Sequence, residues 1–156
     1  SARLRRAAPH ANSGAMARSV NDRPDAAMMS PIEQIMRFMK TLDASAVAGA
    51  FAAENVVIIE SFPPFIFQGR DAVSRWAQRY IAHAEGLTDL HYSFGEALEF
   101  ARDGDAVFFS LPATLTGRTH GKPFSETVGM AVVLVPLGAG WRVRNYGWAV
   151  TSYIER

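Results

Sequence analysis

Glu60 is the residue whose type and position best suit proton-transfer chemistry. It closes a β-branched run from Asn55 to Ile59 that is apolar on both faces, and it precedes the Pro63-Pro64 break. A carboxylate at the end of such a strand loses hydration, so its pKa rises and it can take a proton from carbon and return it nearby. The alternative is that Glu60 points to water or caps the turn, and the sequence leaves both interpretations open.

Two further charged residues could join Glu60 at a site. Glu126 shares its strand parity with Phe124 and Val128, which would place a second carboxylate at the mouth of a cavity, although its position near the strand start also fits an exposed edge. Arg144 could pair with either carboxylate or with an anionic ligand, because an inward arginine on an apolar strand needs a partner. A solvated Arg144 fits the sequence equally well.

The histidines give a weaker signal. His83, His91 and His120 do not have the spacing of metal ligands, so we expect no metal site. His91 could act as a base if its strand turned it inward, whereas a lone histidine on a strand is more often structural. The sequence also lacks a nucleophile elbow, a Walker loop and a dinucleotide fingerprint, so we expect no cofactor.

A set of aromatic and strand residues could form the walls of a ligand pocket. The same residue types are ordinary core side chains whose polar ends are hydrogen-bonded, so packing is the alternative for each. The candidates are Phe38, Phe62, Trp76, Tyr92, Thr114, Met130, Tyr146 and Trp148.

The last predicted strand has apolar residues at both odd and even positions, and therefore on both of its faces. Trp141 and Val143 share one parity, whereas Arg144, Tyr146 and Trp148 share the other. A β-bulge between them would place both apolar sets inside the protein.

Three helices are predicted in the first half of the chain. Ser30-Pro31-Ile32-Glu33 has the capping-box pattern, so the first helix is expected to begin at Ser30 and to present an apolar stripe as far as Leu42. Asp43 would cap a short second helix that reaches Phe51. Gly69-Arg70-Asp71 opens the third helix, which also has one apolar face.

The remaining segments have the alternation and turn residues of strands. Two short strands are expected on either side of the double proline, and turn-forming glycines separate the longer ones that follow. The expected strands are 55–59, 65–67, 88–101, 105–117, 123–136 and 140–153. Helices first and an antiparallel meander afterwards indicate an α+β architecture.

Composition excludes several classes of protein. With 156 residues, 49% of them hydrophobic, the chain suits one domain. Lysine and arginine (16) nearly balance aspartate and glutamate (15), and the body has no basic patch, so we expect no nucleic-acid partner. The longest apolar stretch, 129–141, is interrupted by Pro136 and is too short to span a bilayer, so we expect no membrane partner and a cytoplasmic protein.

The first 27 residues differ from the rest. They are rich in Arg, Ala and Ser and have no apolar period, so we interpret 1–27 as a disordered leader, an organellar transit peptide or a remnant of cloning, and 28–156 as the folded domain. We expect deletion of this segment to leave the melting temperature unchanged.

The order of these elements and three segments of the sequence resemble those of the NTF2-like superfamily and its SnoaL-like and ketosteroid isomerase-like domains. The segments are Phe51-Ala-Ala-Glu-Asn-Val-Val-Ile-Ile-Glu60, Phe67-Gln-Gly-Arg-Asp-Ala-Val73 and Gly140-Trp-Arg-Val143. The resemblance covers residues 29–153. It implies a cone in which three N-terminal helices pack on a curved antiparallel sheet around an apolar pocket.

The resemblance also suggests a role for Glu60. In ketosteroid isomerase-like members a carboxylate at the end of the first strand acts as a general base, and Glu60 has the same spacing of nine residues to Gly69. Phe38 stands where those enzymes have an oxyanion-binding tyrosine, and 129–131 contain no carboxyl group. The resemblance therefore does not extend to ketosteroid isomerisation itself.

Two classes of function follow from the sequence. The first is an isomerase, cyclase or dehydratase that binds a small, largely apolar molecule and uses Glu60 as its base. The alternative is a non-catalytic ligand-binding or dimerisation domain. For either class we expect a homodimer formed through the outer face of the sheet.

Overall fold

The computed structural model describes residues 23–156, so residues 1–22 of the expected leader lie outside the described residues. The first helix, α1, spans Ala26–Thr41, and Asp25 is its N-cap. The Asp25 side chain accepts a hydrogen bond from the backbone N–H of Met28 (2.9 Å), and Met28 is already buried. The predicted start at Ser30 is therefore wrong, because Asp25 satisfies the first free amides about one turn earlier. Residues 25–27, which were predicted to belong to the leader, cap and begin α1, so deletion of 1–27 should lower the melting temperature through loss of this cap.

A short 3-10 helix, Ala44–Val47, stands where the second α-helix was predicted. Asp43 caps it as expected, since its side chain accepts from the backbone N–H of Ser45 (3.0 Å). Immediately beyond it, Ala50 and Ala52 exchange backbone hydrogen bonds with Val143 on the last strand. This pairing diverts the chain from a helical path, so the described residues contain two α-helices rather than three.

The second α-helix, α2, spans Ala72–His83 and packs on the first two strands. Trp76, Ala77 and Tyr80 are buried on one face, as their spacing predicts. Within residues 23–156, neither α-helix has the length and apolar character needed to cross a membrane.

Seven strands form one sheet. They are β1 (Val57–Ile59), β2 (Ile66–Gln68), β3 (Leu87–Phe94), β4 (Glu99–Asp103), β5 (Ala106–Thr119), β6 (Lys122–Leu137) and β7 (Gly140–Glu155). The predicted strand 88–101 is divided into β3 and β4. The backbone N–H of Gly95 donates to the carbonyl of Pro112, and the N–H of Leu98 donates to the carbonyl of Ser110. The chain therefore advances three residues where β5 advances two, and it bulges between these two hydrogen bonds.

The strand order is β2-β1-β7-β6-β5-β3, with β4 also paired to β5. Neighbouring strands are antiparallel except for β1 and β7, which are parallel. The expectation of a wholly antiparallel sheet is wrong for this pair, because the chain crosses over the sheet before β7 returns beside β1. The α+β class is confirmed.

A bulge in β7 turns both of its sets of apolar residues toward the inside of the protein. Asn145 pairs with Val133 and Val143 pairs with Leu134, which leaves Arg144 as the extra residue. Val143, Tyr146 and Trp148 are consequently all buried. Bulges of this kind also bend a strand, and the helices α1 and α2 cover the inner, concave face that results.

Candidate functional site

Glu60 lies at the end of β1, and only 4% of it is exposed to solvent. Its backbone N–H donates to the carbonyl of Phe65 (2.8 Å), which closes the turn between β1 and β2. The indole N–H of Trp76 donates to Glu60 Oε1 (2.9 Å), and the hydroxyl of Tyr146 donates to the same oxygen. Tyr146 reaches Glu60 because β7 runs parallel to β1 and places it beside Ile58.

This environment changes the protonation of Glu60. Burial disfavours the charged carboxylate and raises the pKa of Glu60 to about 7, although hydrogen bonds from Tyr146, Trp76 and the backbone of Ser61 act in the opposite direction. Burial also raises the pKa of Tyr146, so its phenol keeps its proton and remains a donor. Near neutral pH, Glu60 therefore populates both the acid and the carboxylate.

A cavity of about 300 Å³ lies beside Glu60. Both α-helices, the turn after β1 and the strands β3, β5, β6 and β7 contribute to its wall. The lining residues are Met39, Glu60, Ser61, Phe62, Tyr80, His83, Glu85, Leu87, Tyr92, Leu115, Thr119, His120, Phe124, Glu126, Trp148 and Tyr153.

Glu126 is a second carboxylate in this wall. The indole N–H of Trp148 donates to Glu126 Oε1 (3.0 Å), so each of the two carboxylates accepts a hydrogen bond from a tryptophan. Partial burial raises the pKa of Glu126 above its ordinary value, against the effect of Trp148. The negative charge of Glu126 in turn contributes to the raised pKa of Glu60.

The hydroxyls of two tyrosines that line the cavity form a hydrogen-bonded chain. The hydroxyl of Tyr80 donates to the backbone carbonyl of Met39 (3.1 Å) and lies 3.4 Å from the hydroxyl of Tyr92. Since Tyr80 has used its proton, Tyr92 is the donor between them. Burial raises the pKa of Tyr80 to about 12 and that of Tyr92 still further, so both stay neutral phenols.

The sequence profile of the SnoaL-like domain family matches residues 29–150, which is most of the chain. The chain is a member of the SnoaL-like family. A comparison with curated proteins finds no match.

Solved structures show the same fold at low sequence identity. A hexachlorocyclohexane dehydrochlorinase, LinA type 3, from Novosphingobium barchaimii superposes with a TM-score of 0.69 and 7% identity, over 84% of this chain and 88% of that one. An NTF2-like superfamily protein from Salmonella enterica gives 0.65 and 14%, over 80% and 89%. A ketosteroid isomerase-like protein from Erwinia carotovora gives 0.62 and 18%, over 81% and 95%. These similarities establish the NTF2-like fold of this SnoaL-like domain.

The structure of the SnoaL-like domain brings five of the predicted site residues to the cavity. They are Glu60, Phe62, Tyr92, Glu126 and Trp148. Trp76 and Tyr146 are not lining residues, but both donate hydrogen bonds to the carboxylate of Glu60, which lines the cavity. Phe38 and Met130 are fully buried core residues outside the lining, and the ring of Phe38 packs against Trp76 with centroids 5.2 Å apart.

Three predicted residues lie elsewhere. His91 is exposed, because it alternates with Leu90 and Tyr92, which take the inner face of β3. Thr114 alternates with the buried Ala113 and lies on the outer face of β5. Arg144 is the bulged residue of β7 and donates to the side chain of its neighbour Asn145 (3.1 Å), and within residues 23–156 it forms no ion pair with Glu60 or Glu126.

Met39, Tyr80 and His83 also line the cavity, although they are not among the predicted site residues. Tyr80 shares the apolar face of the third predicted helix with Trp76, and a hydroxyl at the end of that face is the signal that could have identified it. The ring of His83 stacks on Phe62 at 4.6 Å, and burial lowers its pKa, which favours the neutral imidazole. The site is therefore richer in hydroxyl and imidazole groups than predicted.

A wider, more open depression of about 770 Å³ lies at the start of β1 and of α2, lined by 52–57, 68–70 and 72–73. It contains none of the buried polar groups described above, and we regard the smaller Glu60 cavity as the candidate site. Among the described residues, no cluster of histidine, aspartate and glutamate side chains is arranged to hold a metal ion.

Proposed function

We propose that this SnoaL-like domain binds a small, largely apolar molecule in the Glu60 cavity and moves a proton with Glu60, as a cofactor-independent isomerase or lyase. The observation that supports this most directly is a carboxylate that is almost wholly buried, adjoins a cavity and has its pKa raised to about 7. A base whose pKa lies near the working pH combines a useful carboxylate population with a strong affinity for the proton.

The hydrogen bonds of Glu60 suggest which oxygen reacts. Tyr146 and Trp76 both donate to Oε1, so Oε2 would accept the proton from a substrate carbon. The electron pair of the broken C–H bond then enters the substrate. In an isomerase, Glu60 returns the proton to another carbon of the same molecule. In a lyase, the pair forms a double bond as a leaving group departs, and Glu60 later loses the proton to water.

Tyr92 would stabilise charge that develops on a substrate oxygen. Tyr92 lines the cavity, and its hydroxyl donates to Tyr80 at 3.4 Å, a long hydrogen bond that a ligand oxygen can replace. Neutral phenol donors in a dry site provide the kind of electrostatic stabilisation that a base alone lacks. Tyr92 thus supplies the hydroxyl donor that Phe38 cannot.

One fold neighbour is a hexachlorocyclohexane dehydrochlorinase, and at 7% identity this similarity shows the fold alone. We propose for this chain the general reaction class, abstraction of a carbon-bound proton, and not that substrate.

A second candidate function is ligand binding without turnover. Every buried side-chain nitrogen and oxygen among the described residues has a hydrogen-bond partner. A Glu60 held by two donors could therefore be a satisfied structural carboxylate behind an apolar ligand.

Deuterium exchange tests the proposed base without knowledge of the natural substrate. The protein is incubated in D₂O with small cyclic ketones, including cyclohex-3-en-1-one, and loss of the α-proton signal is followed by NMR. We expect wild type to accelerate the exchange of at least one ketone and Glu60→Gln to lower that rate by about 10² to 10⁴. Glu54→Gln, at an exposed carboxylate outside the cavity, should leave the rate unchanged.

Two outcomes would contradict catalysis by Glu60. Exchange that survives in Glu60→Gln would assign the base elsewhere. Ketones that bind without any exchange would favour the binding function.

A further inference from the structure

More acidic than basic side chains line the cavity. Glu60, Glu85 and Glu126 line it together with His83 and His120, whereas none of the described lining residues is a lysine or an arginine. Two cations lie close in sequence to the lining but bind acids elsewhere: Arg118 lies 3.7 Å from Asp89, and Lys122 lies 3.4 Å from Glu155. Burial lowers the pKa of His83, which favours its neutral form. The described lining therefore presents three carboxyl groups without a lysine or an arginine to balance them.

Aromatic rings form much of the remaining wall. Tyr92 meets Trp148 edge to face, with centroids 6.4 Å apart, and Phe124 stacks on Tyr153 at 5.8 Å. Phe62 adds a fifth ring. The faces of such rings are negative, so they attract a cation as well as an apolar body.

We propose that the ligand of this cavity is a small apolar molecule with a protonated amine, whose ammonium group pairs with Glu126 among the aromatic rings. The inference rests on the cavity of the proposed function and specifies its ligand class, but it does not depend on turnover at Glu60. Glu126 is the better partner for the cation. It has one side-chain donor, Trp148, whereas Glu60 has two and a pKa of about 7 that leaves much of it protonated.

The same features discriminate against other ligands. An anion would meet like charge with no arginine or lysine in the described lining to offset it. A neutral molecule would fill the apolar space but leave the half-buried Glu126 without a counter-ion. A protonated amine satisfies both the apolar wall and the carboxylate.

Three probes matched in size test the inference. Phenethylamine, 2-phenylethanol and phenylacetate share a phenyl ring and differ in charge, and their affinities can be measured by isothermal titration calorimetry at pH 7 and low salt. We expect phenethylamine to bind at least tenfold more tightly than 2-phenylethanol, with phenylacetate the weakest. Glu126→Gln should reduce the preference for the amine over the alcohol at least fivefold and leave binding of the alcohol unchanged.

Glu54→Gln is the matched control, because it removes one negative charge from an exposed position outside the cavity. It should leave the preference for the amine intact. A second measurement needs no variant: a bound ammonium favours the charged carboxylate, so phenethylamine should lower the pKa of Glu60, followed by ¹³C NMR, while 2-phenylethanol should not.

The inference is overturned if the alcohol or the anion binds as well as the amine, or if the amine does not bind at millimolar concentration. It is also overturned if Glu54→Gln and Glu126→Gln have equal effects. These failures are separate from failure of the proposed base, which is read from ketone exchange in Glu60→Gln.

Discussion

Burial of Glu60 makes the stability of the folded protein depend on pH. The pKa of this carboxyl is about 7 in the folded protein, against an ordinary glutamate value of 4.5, which represents the unfolded chain. Because the folded-state pKa is the higher one, the stabilisation due to protonated Glu60 is complete below about pH 4.5 and is lost as the pH rises to about 7.

Glu60→Gln should remove this dependence. The amide oxygen can still accept from Tyr146 and Trp76, but the side chain cannot ionise. Relative to wild type, the variant should therefore gain about 2 to 3 kcal/mol in free energy of unfolding between pH 5 and pH 8. Urea denaturation at the two pH values measures the gain, with Glu54→Gln as an exposed control. A difference between variant and wild type that stays constant with pH would show that Glu60 is not desolvated.

At the scale of elements, two residues near the start of α1, Asp25 and Ser30, could act as its N-cap. Asp25 accepts from the N–H of Met28, whereas Ser30 lies inside the helix and is exposed. Asp25→Ala should lower the stability by about 1 kcal/mol, a fall of roughly 2 to 5 °C in melting temperature for a domain of this size.

Ser30→Ala is the matched control and should leave the melting temperature within about 1 °C or raise it slightly, because alanine is the better residue inside a helix. Thermal unfolding followed by circular dichroism measures both variants. A larger loss in Ser30→Ala than in Asp25→Ala would restore the capping box that the sequence suggested.

The bulge in β7 is the element on which the site depends. It shifts the side-chain alternation at Arg144, so Val143 packs in the core while Tyr146 and Trp148 also turn inward. Tyr146 and Trp148 are the groups that hold Glu60 and Glu126. One extra residue in a strand therefore orients both carboxylates.

At the scale of the whole molecule, the outer face of the sheet remains the expected dimer interface. On β6 this face is formed by small and β-branched side chains that are exposed or half-buried: Ser125, Thr127, Gly129, Ala131, Val133 and Val135. Such a face can pack closely against a second copy. We therefore predict that the protein sediments at micromolar concentration with twice the mass of one chain.

Ala131→Asp tests this interface. A charge at the centre of the face should convert the dimer to a monomer, because it would be buried without a partner. Ala82→Asp, on the exposed side of α2, is the control and should leave the mass unchanged. A wild-type protein that sediments only as a monomer would contradict the prediction.

The sequence by itself determined the α+β class, the family and the position of Glu60, because these depend on local patterns. The apolar periods of α1 and α2, the strand alternation and the double proline are properties of neighbouring residues, and they predict the elements to within a few positions. The predicted start of α1 was wrong because two residues that can cap a helix, Asp25 and Ser30, lie five positions apart. Local preference alone does not choose between them.

Only the tertiary structure decided which groups meet Glu60. Trp76 and Tyr146 are 16 and 86 residues away in sequence, and they donate to its carboxylate because α2 packs on β1 and β7 runs parallel to it. The inward position of Glu126 and the outward position of His91 likewise depend on sheet register, which pairing with distant strands fixes. The pKa of Glu60 follows from this packing, since desolvation depends on everything that surrounds the carboxylate and not on its neighbours in sequence.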